Sequence, residues 1–488
     1  MSANKTDRLW YWLIAITVIF SCFITLIVFT SPHLDKLSIQ QQLQYKNQAL
    51  TTTAIVFLGM GVIINAYYAA KSVDATYKSA VVAEKNLEIN LQNAKLSQDR
   101  FVSERLMAAI SQLGHDKIET RTSAIYILER LAQDCPQEHW IIMEILTAFV
   151  RENAIITEAA EAREEDFSPY FSKYKNGERR GQHLGINLHE ESIRIRRDIQ
   201  AALTVIGRRN FQQDEASKKL DLRYTDLRRV DLLGANLQQA DLRGADLRLA
   251  NLRDCNLGGA NLESAKLTGS ILYEANLLKA NLQGANLNGT NLNRAEMSGA
   301  NLRGATLVGA SLRAANLQGA NLYKANLQQA SLKLANLSGA KLFLANLQGA
   351  KLGKANLYLC GLIGADLQRA NLNGANLFGA NLNAAKLQQT EILFADLTGA
   401  SLTEANLYQA NLMGANLQRV TLYEANLTQA NLVGANLSDT NFCDVKLEGA
   451  ILTGAKNLEA QQICLAVGDR TTRLPDNMEV PIHWEQSS

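Results

Sequence analysis

From position 222 to position 452 every fifth residue is Leu, apart from Met297, Ile392 and Phe442, and the register never slips. Two residues before each of these, from Ala235 to Ala455, 37 of 45 positions are Ala and the rest Cys, Ser, Thr or Val, so the unit reads A-N-L-x-G/A. A period of five fits neither the 3.6-residue helix nor the two-residue alternation of a strand, so the chain must turn after each short extended piece. With one pentapeptide on each side and a turn at each corner, four units make a square coil of about 20 residues, with one Leu and one small residue inward on every side. A narrow interior explains why large and small inward residues alternate. Gly recurs at the last position, as at Gly284, Gly319 and Gly349, where a turn needs positive φ.

Other periods hold before the repeat. From Leu9 to Thr30 there are 22 residues without a charge, and a second uncharged run extends from Ala49 to Ala70. At about 1.5 Å per residue each is long enough for a hydrocarbon core of about 30 Å, and the pair predicts a transmembrane helical hairpin. Trp10, Tyr11 and Trp12 sit where interfacial aromatic residues sit. A cleaved signal peptide fits less well, because the run exceeds an apolar signal core and no small-residue cleavage site follows. Lys5 and Arg8 precede the first run and Lys71, Lys78 and Lys85 follow the second, against Lys36 and Lys46 between them. That bias predicts an integral protein of an inner membrane, plasma or thylakoid, with both termini in the cytoplasm.

Ser72 to Gln98 lacks Pro and Gly and reads as a helix, which would carry the chain about 40 Å from the bilayer. Apolar-periodic segments follow at Phe101–Leu113, Arg121–Ala132 and Gln137–Arg151, separated by Gly114-His115-Asp116 and Asp134-Cys135-Pro136. A further helix is expected over Ser192–Gly207, with Ile193, Ile199, Leu203 and Ile206 inward and Arg196, Arg197, Arg208 and Arg209 outward. Leu458–Val467 reads as a short helix in a terminal cap.

The A-N-L-x-G/A unit over about 230 residues resembles the pentapeptide-repeat family. The resemblance implies a right-handed quadrilateral β-helix, here close to twelve coils and roughly 55 Å long at about 4.8 Å per coil. The stretches SERLMAAISQLG, RTSAIYILERLAQD and HWIIMEILTAFVREN resemble a loosely HEAT- or armadillo-like helical region that precedes such repeats in cyanobacterial membrane proteins. The expected architecture is therefore multidomain α and β: two transmembrane helices (about 9–30 and 49–70) within 1–70, a helical juxtamembrane region with a linker (71–219), the solenoid (220–455) and a C-terminal cap (456–488).

Charge does not single out a partner. Lys plus Arg number 49 against 47 Asp plus Glu, and a nucleic-acid-binding stripe would tilt that balance. Some relatives in the family mimic DNA with a strongly acidic surface and bind gyrase, a pattern this balanced sequence lacks. Between Glu158 and Glu190 an acidic cluster precedes Phe167, Tyr170, Phe171 and Tyr174 interleaved with Lys and Arg; the preferred reading is a linker packed on the helices or touching anionic lipid. His139, Trp140, Arg121, Glu129, Arg130 and Arg151 read as a packed Trp and solvated helix faces rather than a recognition surface.

The six Cys have no metal or redox spacing, the repeats contain no His, and no phosphate loop or nucleophile elbow occurs, so no cofactor, metal or catalytic residue is assigned and an enzyme is not expected. Cys255 and Cys360 stand at the small inward position and read as buried hydrophobes. Residues 20 apart should stack, which puts Tyr323, Phe343 and Ile363 in one column, Tyr358 and Phe378 in a second, and Leu393, Met413 and Val433 in a third. Arg313 and Lys333 stack likewise, in a stretch with no acidic residue from Glu296 to Asp366. These columns are the candidate protein contacts. The sequence thus points to a membrane-anchored, non-enzymatic scaffold that engages the lipid bilayer and an unidentified protein partner, with a homo-oligomer also open. The rival functions are an accessory of envelope lipid export or membrane transport and, less favoured, a DNA-mimic gyrase binder.

Overall fold

The computed structural model describes residues 3–156, 195–215 and 217–484. The expected interleaved segment Glu158–Glu190 lies outside these. The chain divides into two compact units, Met1–Phe101 and Val102–Ser488, taken in turn.

In the first, helix α1 (Ala3–Thr30) and the leading part of helix α2 (Ile39–Leu113) pair antiparallel. The Trp10 and Tyr67 rings lie 5.1 Å apart, the Thr25 and Thr53 hydroxyls are 2.8 Å apart, and Lys46 stands over the Phe29 ring. Their aliphatic side chains are exposed, as on Leu13, Ile16, Ile55 and Leu58. Both helices are long and apolar enough to cross a membrane. The separate segments expected at Ser72–Gln98 and Phe101–Leu113 are one with the second run in α2. Neither Pro nor Gly occurs between Gly61 and Gly114, so nothing stops the hydrogen-bond ladder.

In the second unit, α3 (Ile118–Asp134), α4 (His139–Asn153) and α5 (Arg197–Gly207) pack on one another through Ile125, Leu128, Ile142, Leu146, Ile199 and Leu203, all buried. The described part of the last expected helix begins at Arg197; Ser192 and Ile193 lie outside the described residues. Asp198 is fully buried, accepting from Arg121 Nε at 2.7 Å and Arg196 Nη2 at 2.6 Å. Burial works against its charge, but hydrogen bonds from Arg196 and Arg121 prevail and hold the carboxyl below its ordinary 3.8. Of the charges read as solvated helix faces, Arg151 pairs with Asp221 and Glu129 with Arg208, and Arg130 pairs with Asp134 while both stay exposed. Trp140 and His139 are buried, and His139 Nε2 lies 3.1 Å from Asp214 Oδ1. Arg209, expected outside, is buried instead, because Asp214 neutralises it at 2.8 Å.

From Asp221 the chain coils with a constant step: parallel bridges join residues 20 apart, from Asp221↔Asp241 to Asn436↔Lys456. Four bridges recur in each coil, one on each side, so the sheets are columns of single bridged residues rather than extended strands. We number the sides by their Leu: side 1 holds Leu222 and every twentieth residue after it, side 2 Leu227, side 3 Leu232 and side 4 Leu237. Every Leu-register residue from 222 to 452 is buried, as are the small residues between sides from Ala235 to Ala450. Leu220, Thr225 and Val230 are buried too, so the small-residue pattern begins earlier than Ala235, in residues that are not Ala.

Each corner from Val230 onward is a β-turn closed by the small residue's N–H on the preceding Leu carbonyl, as from Ala320 to Leu317 at 3.0 Å. The second central residue has positive φ at every corner from Tyr224 to Gly454, which defines a type II turn. Twenty of these are Gly; the other 27 carry side chains in a conformation they disfavour, held by the coils above and below. Polar atoms admitted inside are satisfied there: Thr290, Thr390 and Thr440 hydroxyls each donate at 2.9 Å to a Leu carbonyl of the preceding coil.

Both ends are closed. First-coil N–H groups that would otherwise lack partners donate to the helical region: Asp226 to Ala154 C=O at 2.7 Å, Asp231 to Gln200 Oε1 at 3.0 Å and Asn236 to Gly207 C=O at 2.8 Å. Arg209 donates to the Asn236 and Gln238 carbonyls. At the other end, helix α6 is shorter than expected, Ala460–Ile463. Gln462 Nε2 donates to the Leu437 and Thr440 carbonyls, Val467 and Arg473 bridge the last coils, and the buried Trp484 donates to Ala466 C=O at 2.9 Å.

Two outcomes follow from this packing. Ala320→Leu adds volume to a closed interior and is expected to cost about 1–3 kcal/mol or more, whereas Ala320→Cys is expected to be nearly neutral, by thermal unfolding of the full chain. Asp198 binds its proton more weakly when folded, so its contribution is full above about pH 4 and is lost as pH falls through the lower folded value. Unfolding of wild type and Asp198→Asn compared from pH 2 to pH 6 is expected to show that loss in wild type alone.

Candidate interaction surface

The residue before each Leu faces outward on the flat of a side, and the two residues after it form the corner. The flat is occupied largely by Asn for a reason of hydrogen bonding. Asn236 Oδ1 accepts the Gln238 N–H at 3.2 Å, which steadies the corner. The Nδ2 donates to the Asn one coil earlier, so Asn336, Asn356 and Asn376 form a ladder on Asn316 at 3.0, 3.1 and 3.2 Å. On sides 1 and 2 the first two coils replace Asn by Asp and add Arg two residues on: Asp221–Arg223, Asp226–Arg228, Asp241–Arg243 and Asp246–Arg248 pair with a closest approach of 2.6–2.8 Å. The triplet Asp-Leu-Arg is plain in the sequence; its role as a clasp was not read from it.

Tyr323, Phe343 and Ile363 stand in one column at the corner between sides 1 and 2. Tyr358 and Phe378 stand at the corner between side 4 and side 1, their rings stacked 5.6 Å apart at 19°. These two columns therefore border the same flat, side 1. Phe343 lies across it onto Gly361, where a Cβ would come within 2.5 Å of the ring, which explains Gly where Asn recurs. Leu344 and Leu359 fold in the same way onto Gly364 and Gly379. Arg303 and Lys324 each approach the Tyr323 ring to 5.3 Å, and Lys341 is exposed on the flat between the columns.

Arg313 and Lys333 are exposed at the corner between sides 3 and 4, diagonally across from Tyr323, Phe343 and Ile363. Leu393, Met413 and Val433 continue that same column and are half-buried. The structure thus unites the two aromatic columns and separates the Arg313–Lys333 pair from the flat they share.

No arrangement for chemistry accompanies this surface. Among the described residues no group of three His, Cys, Asp or Glu could hold a metal ion. The Cys255 and Cys360 thiols are buried, which pushes each up to about 12, and they donate to Ala235 and Leu337 carbonyls. A cavity of about 290 Å³ opens beside Arg209, Asp214, Lys218, Lys219 and Gln238, with four of its charges engaged in the pairs Arg209–Asp214 and Lys218–Glu215.

A closed coil with a uniform interior and a varied exterior defines a solenoid repeat protein, a class whose members generally mediate protein interactions. The profile of Pentapeptide repeats (8 copies) matches overlapping stretches from 219–254 to 421–456. The chain belongs to the pentapeptide-repeat family. It is 35% identical to HetL, a pentapeptide repeat protein involved in heterocyst differentiation regulation from the cyanobacterium Nostoc sp. strain PCC 7120, over 47% of this chain and 92% of that one, with a TM-score of 0.24. It is 27% identical to Rfr23 from the cyanobacterium Cyanothece 51142, over 28% of this chain and 87% of that one, with a TM-score of 0.16. No curated protein matches the chain.

Thiol labelling reads the burial directly. Exposed Cys464 is expected to react with maleimide in the native protein, while Cys255 and Cys360 stay unmodified until denaturant opens the coils; mass spectrometry of the peptides checks this.

Proposed function

We propose that this protein is a membrane-anchored, non-enzymatic scaffold that docks other proteins on the sides of its solenoid. The carrying observation is that both ends of the solenoid are closed by hydrogen bonds and its interior is filled. Only the lateral surface remains variable and accessible. The α1–α2 pair supports an anchor, since its apolar side chains are exposed along runs of membrane-spanning length. The Lys and Arg bias around those runs supports both termini on the cytoplasmic side of an inner membrane. The nearly balanced charge speaks against DNA mimicry, and the absence of paired catalytic groups among the described residues speaks for binding rather than turnover.

Two measurements test this. The full chain is expected to remain in the membrane fraction through alkaline carbonate, and a chain lacking residues 1–70 to leave it. Crosslinking in native membranes, followed by purification and mass spectrometry, is expected to return a stoichiometric partner with crosslinks at outward positions of residues 222–452; recovery of the protein alone would overturn the scaffold reading.

A further inference from the structure

Side 1 and its neighbour side 4 differ from the rest of the solenoid. Between Glu296 and Asp396, both on side 4, these two sides carry no Asp or Glu. Over the same coils they carry the cations Arg303, Lys324 and Lys341 and the aromatic residues Tyr323, Phe343, Tyr358 and Phe378. Gly361 removes the one side chain that would hold Phe343 off the flat. The result is a strip with a bedded apolar floor, a cationic border of Arg303 and Lys324 along one corner, and Lys341 on the flat itself. The Asn ladder that runs along side 1 from Asn261 to Asn321 ends there, at Lys341 and Gly361.

We propose that this strip is the docking site for an extended protein segment that alternates apolar or aromatic side chains with Asp and Glu. The inference rests on the scaffold reading and names the partner's chemistry. Charge complementarity selects the occupant: a cationic border without acids favours an acidic segment and repels a basic one. A second copy of the same strip would bring like charges together, which excludes self-pairing through this face. The rings also lie along the coil surface, with Phe343 on Gly361 and Tyr358 stacked on Phe378, an arrangement for packing against a flat side chain rather than for insertion into a bilayer. Aromatic residues beside Arg are where binding energy concentrates in protein interfaces.

The test uses the full chain in nanodiscs of neutral lipid and a pool of fluorescent peptides of about a dozen residues in which Glu or Asp alternates with Leu or Phe. Two variants accompany it: Phe343→Ser/Tyr358→Ser/Phe378→Ser, and Arg303→Glu/Lys341→Glu. All five positions face outward, and unchanged circular dichroism and Tm identify folded protein. The acidic pool is expected to bind wild type by anisotropy, to lose about tenfold or more in affinity to each variant, and to be bound in preference to a Lys-substituted pool. Absence of acidic-peptide binding, equal binding by the variants, or preferential binding of oligo-dT or phosphatidylglycerol vesicles overturns the proposal. If peptides fail while a crosslinked partner still maps to residues 222–452, this inference falls and the scaffold stands; peptide binding without a native partner gives the reverse.

Discussion

The limiting constraint is the width of the coil interior. Each side presents one Leu-register residue and one small residue inward, and from Leu222 to Leu452 the Leu-register residues are all removed from solvent, as are the small residues from Ala235 to Ala450. Because the interior is dry, the backbone must satisfy itself between coils, and it does so at every step of 20 residues. The corners inherit the constraint: a turn must be completed in two residues, so the second adopts positive φ whether or not it is Gly. Side chains as large as Phe394 and Arg419 accept that conformation, since the coils on either side determine the backbone and the side chain lies outside the coil.

Regularity creates its own difficulty at the ends, where a coil has no neighbour. The two ends are resolved by different means. At the start, helix-region carbonyls and the Gln200 side chain take the N–H groups of the first coil, and the buried Arg209 is held between Asp214 and two first-coil carbonyls. At the finish, a short helix and two further bridges do the work, anchored by Trp484. Helical region and repeat are consequently one packed unit, which accounts for ion pairs such as Arg151–Asp221 that cross between them.

Function is left to the exterior, where the interior places no demand. The Asn ladder is the default exterior and is chemically bland. Departures from it are informative, because each gives up a hydrogen-bond partner of the ladder. Lys341 and Gly361 are such departures, and they coincide with the aromatic residues of two corners.

Much of this was legible in the chain itself. The five-residue Leu period, the small residue two places before it and the uncharged runs named the solenoid, its inward residues and the two apolar helices, because each depends only on local spacing and on the exclusion of polar groups from a dry space. Column membership also followed from spacing, once four units made a coil. The side shared by Tyr358 and Phe343, the bed that Gly361 makes for the Phe343 ring, and the burial of Arg209 were decided only by the tertiary structure. Each depends on which residues meet across coils or between helix and repeat, and a one-dimensional period gives the stacking interval without saying which side chains fold over onto the next coil or which charge finds its counter-ion beneath the surface.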